Sequence, residues 1–242
     1  ALAREFAPDV VIASSTYPMD FWVARRIARL ANARLVFEVH DLWPLSPIEL
    51  NGMSPRHPFI LLCSAAESAA YRDADVVVSM LPRVDEYMVS RGLDVNKLTI
   101  VPNGVPVDEA PTPSPALPQS LRAVLEAAHA QGRTLVGYAG SHGLPNALDV
   151  LVDAAAQLRD EPFTFVMVGD GHEKARLAER ALALGLSHVH WMAPIAKSQV
   201  PALLAALDIA YIGWQRTPIY RFGIAPNKLM DYMLAGCVVL HS

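Results

Sequence analysis

The chain of 242 residues is poor in the features that mark several protein classes. It has two cysteines, Cys63 and Cys237, both inside apolar runs. A disulfide framework needs more, and no metal-type C-x-x-C spacing occurs. Both read as core residues in a reducing compartment. No apolar run approaches the roughly 18–20 residues needed to span a bilayer, and no signal peptide is visible. There is no block of like charge: 20 Lys and Arg stand against 24 Asp and Glu, a formal net charge of -4. A nucleic-acid binder usually shows a basic patch, so that class is set aside. A phosphate-bearing ligand is not, because a few placed cations and helix N-termini suffice. No Ser/His/Asp triad, metal-spaced His/Cys cluster or short-period repeat stands out. The chain opens at Ala1 rather than methionine, so an upstream segment is expected.

What is present is apolar. Apolar residues make up 52% and charged residues 18%, enough to bury a core. Short β-branched runs alternate with longer helical stretches. The first half predicts strands at residues 9–13, 34–39, 74–78 and 98–101 and helices at about 19–31, 59–72 and 83–91, with a loop around Trp43, Pro44 and Pro47. Residues 105–119 are Pro-rich without a periodic apolar face and read as a semi-rigid linker. The second half repeats the rhythm. Strands are expected at 133–139, 163–168, 189–191, 209–212 and 237–240, and helices at about 119–130, 146–158, 173–184, 198–206 and 227–234. Continuous apolar runs suit strands covered on both faces, and strand–helix alternation implies parallel βαβ units. The expectation is α/β: two Rossmann-like doubly wound parallel-sheet domains, residues 1–105 and 119–242, joined by a linker at 106–118. Ligands in such sheets bind at the carboxyl ends of strands.

Four loops carry candidate chemistry. Gly137-Tyr138-Ala139-Gly140-Ser141-His142-Gly143 lies between a strand and a helix. Its glycines let backbone N–H groups approach an anion, and the helix N-terminus favours one. The spacing is not G-x-G-x-x-G, and a plain βα turn is the alternative. Val168-Gly169-Asp170-Gly171-His172 ends the next strand. It is either a structural turn or a wall for a nucleotide base. Between Trp214 and Gly236 the chain gathers Arg216, Arg221, Lys228 and Asp231 around Gly223 and Pro226. Pro226 suits the first position of a helix. Lys228 and Asp231, three apart, share a helix face. They could bind a phosphate and a sugar hydroxyl pair together, or form an ordinary surface ion pair. Finally His40 and Asp41 leave a first-half strand before Trp43-Pro44, which suits a site or a capped turn. Trp191 and Trp214 read as core.

These motifs jointly resemble a known family. Val101-Pro102-Asn103-Gly104-Val105 is similar to the PNGV signature of family 4 retaining glycosyltransferases. Residues 222–236, running Phe-Gly-Ile-Ala-Pro-Asn-Lys-Leu-Met-Asp-Tyr-Met-Leu-Ala-Gly, resemble their donor segment. Val168-Gly169-Asp170-Gly171 matches their VGDG, and Asp41-Leu42-Trp43-Pro44 resembles a branch that builds bacterial surface polysaccharides, including amino-sugar transferases of O-antigen and capsule assembly. The resemblance implies the GT-B fold, with an active site in the cleft between its domains. It implies a nucleoside diphosphate sugar as co-substrate, UDP among the candidates, with no cofactor and no metal. The acceptor would be a saccharide or a polyprenyl-linked saccharide. No nucleic acid is implied. The location would be cytoplasmic, with peripheral association at the inner membrane face.

Residue by residue, the resemblance places Asp231 on the donor ribose and Lys228, with Arg221, on the diphosphate. The loop of Gly140, Ser141, His142 and Gly143 would face that diphosphate. Gly169 and Asp170 would flank the base, and the stretch from Met192, including Pro194 and Ile195, would line it. His40 would lie beside the donor sugar, with Asp41 as its neighbour in the catalytic loop. Retention at the anomeric carbon is implied, with no protein nucleophile. Three positions depart from the family pattern. Asp231 replaces a Glu, Gly223 stands eight residues earlier where a first Glu is usual, and Leu144-Pro145-Asn146 replaces a basic pair. The family's members are considerably longer, so both domains are expected to be incomplete. A non-hydrolysing UDP-sugar epimerase-like enzyme and an inactive nucleotide-sugar binding fragment remain open as alternatives.

Overall fold

The computed structural model describes residues 5–105 and 114–242. It divides into two compact units. Residues 1–103 with 216–225 form the first, and residues 104–215 with 226–242 the second.

The first unit holds strands β1 (Val10–Ser15), β2 (Arg34–Val39), β3 (Val76–Ser79) and β4 (Leu98–Ile100) in one parallel sheet of order β1-β2-β3-β4. Helices α1 (Asp20–Ala31), α2 (Leu45–Asn51), α3 (Pro58–Asp73) and α4 (Asp85–Ser90) connect them. Phe21, Ala24 and Ala28 of α1 are buried at spacings of three and four, one face of a helix. They pack with Leu35, Phe37 and Val39, the alternate residues of β2 that share one sheet face. Helix α2 lies where a loop was expected. Its Pro47 falls in the first turn, where a missing N–H costs nothing, and Gly52 closes it in the left-handed region with φ 66°.

The second unit holds β5 (Thr134–Ala139), β6 (Phe163–Val168), β7 (Val189–Met192), β8 (Ile209–Ile212) and β9 (Val238–His241). The order is β7-β6-β5-β8-β9, all parallel. Its helices are α5 (Gln119–Ala130), α6 (Leu148–Gln157), α7 (Lys174–Ala183), α8 (Val200–Leu204) and α9 (Asn227–Leu234). Strand alternation divides the core in two. Leu135, Val166, Val168, Ala210 and Ile212 face one way, against Leu121 and Leu125 of α5, Leu203 of α8 and Tyr232 of α9. Val136, Tyr138, Phe165, Met167 and Tyr211 face the other, against Leu151 of α6 and Leu177 of α7. Apolar side chains on both faces are what a doubly wound sheet requires.

The segment 216–225 differs from its expected place in the second domain. Its 3-10 turn, Pro218–Phe222, contributes Ile219 and Phe222 to the first unit's core. The Phe222 carbonyl accepts from the Arg83 N–H at 3.1 Å. The expected linker falls largely on residues 106–113, which lie outside the described residues. Residues 114–118 have no regular structure. The Ala116 carbonyl accepts from Gln199 Nε2 at 2.6 Å, within the second unit. Of the cysteines, Cys63 is fully buried and Cys237 half-buried.

Candidate functional site

In the second sheet the winding reverses between β5 and β8, so the crevice expected for a ligand opens at their carboxyl ends. The loop after β5 is pinned to the loop after β6. The Gly140 N–H donates to the Val168 carbonyl at 3.0 Å, the His142 N–H to the Asp170 carbonyl at 2.8 Å, and the Glu173 N–H to the His142 carbonyl at 3.0 Å. Gly169, at φ 141°, passes so close that a Cβ there would sit 1.9 Å from the Gly140 oxygen. No residue but glycine fits. Lys174 completes the edge, donating from Nζ to the carbonyls of Gly169 and Met192 at 2.7 Å each.

Lys228, in the first turn of α9, folds over this loop. A Cβ on Gly140 would meet its Cε at 2.4 Å. Its Nζ lies 5.4 Å from the centre of the Tyr138 ring and 3.4 Å from Asn146 Oδ1. Tyr138 and Asn146 both donate to the Ser141 carbonyl, at 2.7 and 3.0 Å. Burial pushes the Lys228 pKa down. An ammonium held by an amide oxygen and an aromatic face is undercompensated, and an anion would relieve it.

Several expectations change in detail. His142 is fully buried, between the rings of Tyr138 and Trp191 at 5.8 and 5.6 Å. Among the described residues neither ring nitrogen has a partner of good geometry. Burial, then the Lys174 charge, pushes its pKa down, against the pull of the Val168 carbonyl. Its side chain braces the loop from within. With the N–H groups of Gly140 and His142 spent, Ser141 and Gly143 keep theirs free among the described residues. Lys228 does not pair with Asp231, which shares the helix at partial exposure. Pro226 stands one position earlier than expected, as the cap before Asn227.

Arg221 belongs to the first unit. Its guanidinium grips both Glu49 oxygens, at 2.9 and 3.0 Å, and stacks 4.3 Å over the Phe222 ring. Its guanidinium is thus already paired within the first unit. Gly223, where a first Glu was looked for, has φ 96°, and a Cβ there would meet Pro82 Cδ at 2.7 Å. Asp170 is exposed, and its Oδ1 accepts from the Gly171 N–H at 2.8 Å. Exposed Pro194 and half-buried Ile195 follow β7, on the far side of β6 from Lys228. Tyr138 and Asn146 were given no role from sequence beyond their place in the loop, and Lys174 was not named. The only signal for them was their place within a few residues of the glycines.

In the first unit His40 and Asp41 leave the carboxyl end of β2 as expected, both exposed. His40 Nε2 lies 2.8 Å from Ser14 Oγ and 3.5 Å from Glu38 Oε2. Nearby, the Trp43 ring packs edge-on against Tyr17 and Phe59, at 5.0 and 5.7 Å between centroids. The Asn103 amide of the PNGV motif donates to the Ala225 carbonyl at 2.7 Å. Among the described residues, no group of three or more His, Cys, Asp or Glu is placed to hold a metal ion. No helix among them is long and apolar enough to cross a membrane.

Two all-parallel sheets, the second wound in the order 3-2-1-4-5 within its own unit, are the architecture of GT-B glycosyltransferases. Residues 1–104 match the glycosyl transferase 4-like domain and residues 133–242 the glycosyl transferases group 1 domain. With both halves matched, the chain belongs to the family 4 glycosyltransferases. Over 237 residues it is 25% identical to WcaI of Escherichia coli K12, a glycosyl transferase named for colanic acid biosynthesis, covering 96% of this chain and 57% of WcaI. Anabaena HepE, solved in complex with UDP, matches with TM-score 0.71 at 19% identity over 98% of this chain and 61% of HepE. A Rickettsia africae glycosyltransferase matches with TM-score 0.68 at 15% identity over 99% of this chain and 59% of its own. The chain thus spans between 57% and 61% of the length of these relatives.

Proposed function

We propose that the protein transfers a sugar from a nucleoside diphosphate sugar to a saccharide or polyprenyl-linked acceptor, with retention, in the synthesis of a cell-surface polysaccharide. The observation that carries this reading is Lys228, half-buried over Gly140 at the switch point of the second sheet and without a carboxylate partner among the described residues. The charge to be stabilised in such a transfer is the departing diphosphate. A fixed cation in a partly dry site is suited to it. The free N–H groups of Ser141 and Gly143 would add donors, and Asp231, one turn along α9, would take the ribose hydroxyls. WcaI's name and the UDP bound to HepE support UDP as the nucleotide and polysaccharide synthesis as the setting. No cofactor or metal is required in this reading, and the work would take place in the cytoplasm at the inner membrane face.

The test is a screen of UDP- and GDP-sugars with the full-length protein, with the anomeric configuration of the product read by NMR. Transfer from a UDP-sugar with retained configuration is expected. Product of inverted configuration would remove the retaining assignment. In the same assay Asp231→Asn should weaken nucleotide binding, and unchanged affinity would remove Asp231 from the site. A second reading, an epimerase-like enzyme, draws on the His40–Glu38 pair, a His and a carboxylate 3.5 Å apart. Sugar epimers released without an acceptor would favour it.

A further inference from the structure

The second unit has another cavity at the opposite end of its sheet. About 510 Å³ in volume, it is lined by Arg133, Arg159, Thr164, His188 and His190, over an apolar floor from α5. Arg133 immediately precedes β5, Thr164 is the second residue of β6, and His188 and His190 bracket the start of β7. These are amino ends. At roughly 3.3 Å per residue, a six-residue strand sets this cavity about 20 Å from the Gly140 loop. It is therefore separate from the Lys228 site.

The lining carries two guanidinium groups and two imidazoles, and no carboxylate. Its groups are held in place. Arg133 Nε donates to Thr164 Oγ1 at 2.9 Å, and Nη2 to the carbonyls of Glu161 and Phe163. Among the described residues Nη1 has no partner. Thr164 is 4% exposed. Arg159 is anchored by Nε on the Ala156 carbonyl at 3.2 Å. The His188 ring is fixed by the Ala155 carbonyl at 3.2 Å and the edge of Phe165 at 5.7 Å. His190 is pushed towards its neutral form by burial, then by His188 and Arg133. Ligand sites run from roughly 300 to 1,000 Å³, and the remaining guanidinium N–H groups are strong donors to phosphate oxygens.

We infer that this cavity is a second anion site, built for a small phosphate or diphosphate group through Arg133, Arg159 and the two histidines. The group could be carried by a free metabolite or by a lipid headgroup.

The histidine rings provide a local readout. The protein is titrated with inorganic pyrophosphate while the ring resonances of His188 and His190 are followed by NMR, assigned with His188→Asn and His190→Asn. A parallel series uses phosphatidic acid vesicles against phosphatidylcholine vesicles. Saturable shifts of both rings are expected. Arg159→Glu should weaken the midpoint about 10-fold, or ~1.4 kcal/mol, with the unfolding temperature unchanged because Arg159 is exposed. Shifts with free pyrophosphate assign a soluble ligand, and shifts with phosphatidic acid alone assign a headgroup. Rings that stay unmoved by both, or shifts undiminished in Arg159→Glu, overturn the inference. Binding at the Lys228 loop alone would leave these rings unmoved, so the two sites are told apart.

Discussion

At the carboxyl edge of the second sheet the backbone runs against itself: Gly169 against Gly140, and the loop of His142 against that of Asp170. One side chain, Lys228, reaches over the top. At the carboxyl edge of the first sheet the arrangement is reversed. There Ser14, Glu38 and His40 present functional groups, beside the rings of Tyr17, Trp43 and Phe59. An edge made of backbone has a fixed shape and suits a ligand part that never varies, such as a diphosphate. An edge made of side chains is easily respecified and suits the variable chemistry of sugars and acceptors.

The largest effect is expected where the backbone is tightest. Gly169→Ala places a Cβ 1.9 Å from a carbonyl oxygen at φ 141°. Such overpacking costs about 3 kcal/mol. Gly92, in the first unit, has φ 103° with nothing within 4 Å of its Cβ position. Gly92→Ala should cost only the conformational strain, about 1–2 kcal/mol. Urea denaturation of both variants measures the gap. Equal losses would mean that the second edge is no tighter than an open turn.

Much of this edge was legible in sequence because glycines and strands leave local marks. The bounds of β2, β6, β8, α5 and α9 follow from apolar-rich runs and helical spacing. Helix α2 was hidden by Pro44 and Pro47, since prolines signal loops more often than first turns. The burial of His142 was not legible. A polar residue between glycines reads as surface, and only the pinch of Gly169 and Gly171 folds it under. Arg221 shows the same limit. Its charge is local, but its partner Glu49 lies 172 residues away. Nothing in a local pattern says which core Ile219 and Phe222 will join.

Smaller effects should divide binding from turnover. If the first edge works on the sugar, His40→Ala in the full-length protein should lower the transfer rate roughly 100-fold and leave UDP affinity unchanged. Lys228→Ala should do the reverse in calorimetry, weakening UDP by about 10- to 100-fold, the worth of one charged hydrogen bond. Arg221→Ala, whose cation is already spent on Glu49, should leave UDP affinity alone. Its loss of stability should be about 1 kcal/mol or less, as for an exposed pair. An Arg221→Ala variant that loses UDP as fully as Lys228→Ala would show that the cations of the two units are not distinct in role.

The smallest contrast is in pH. Among the described residues the first unit buries a carboxyl group, Glu67, and the second an imidazole, His142, and their pH dependences have opposite signs. In the first unit Glu67 is 1% exposed and accepts from Tyr71, Tyr87 and Arg91 at 3.2, 2.8 and 2.9 Å. Burial pushes its carboxyl pKa up, outweighing the lowering by Arg91 and the two tyrosines. Its folded pKa lies above the unfolded 4.5, so its contribution is full below that value and is lost as pH rises through the folded pKa. In the second unit the His142 pKa lies below its ordinary 6.5, mainly through burial. Its contribution is full above 6.5 and is lost as pH falls through the lowered pKa. His190 shifts in the same direction. On acidification from 6.5 towards the carboxylate range, the first unit should therefore gain stability and the second lose it. NMR-detected denaturation, read separately at β2 and β6, measures both slopes. Glu67→Gln should flatten the first, and His142→Phe should reduce the second to the part carried by His190. Slopes of the same sign in the two units would break the contrast. A second-unit slope unchanged in His142→Phe would move its origin away from the buried ring beneath Gly169.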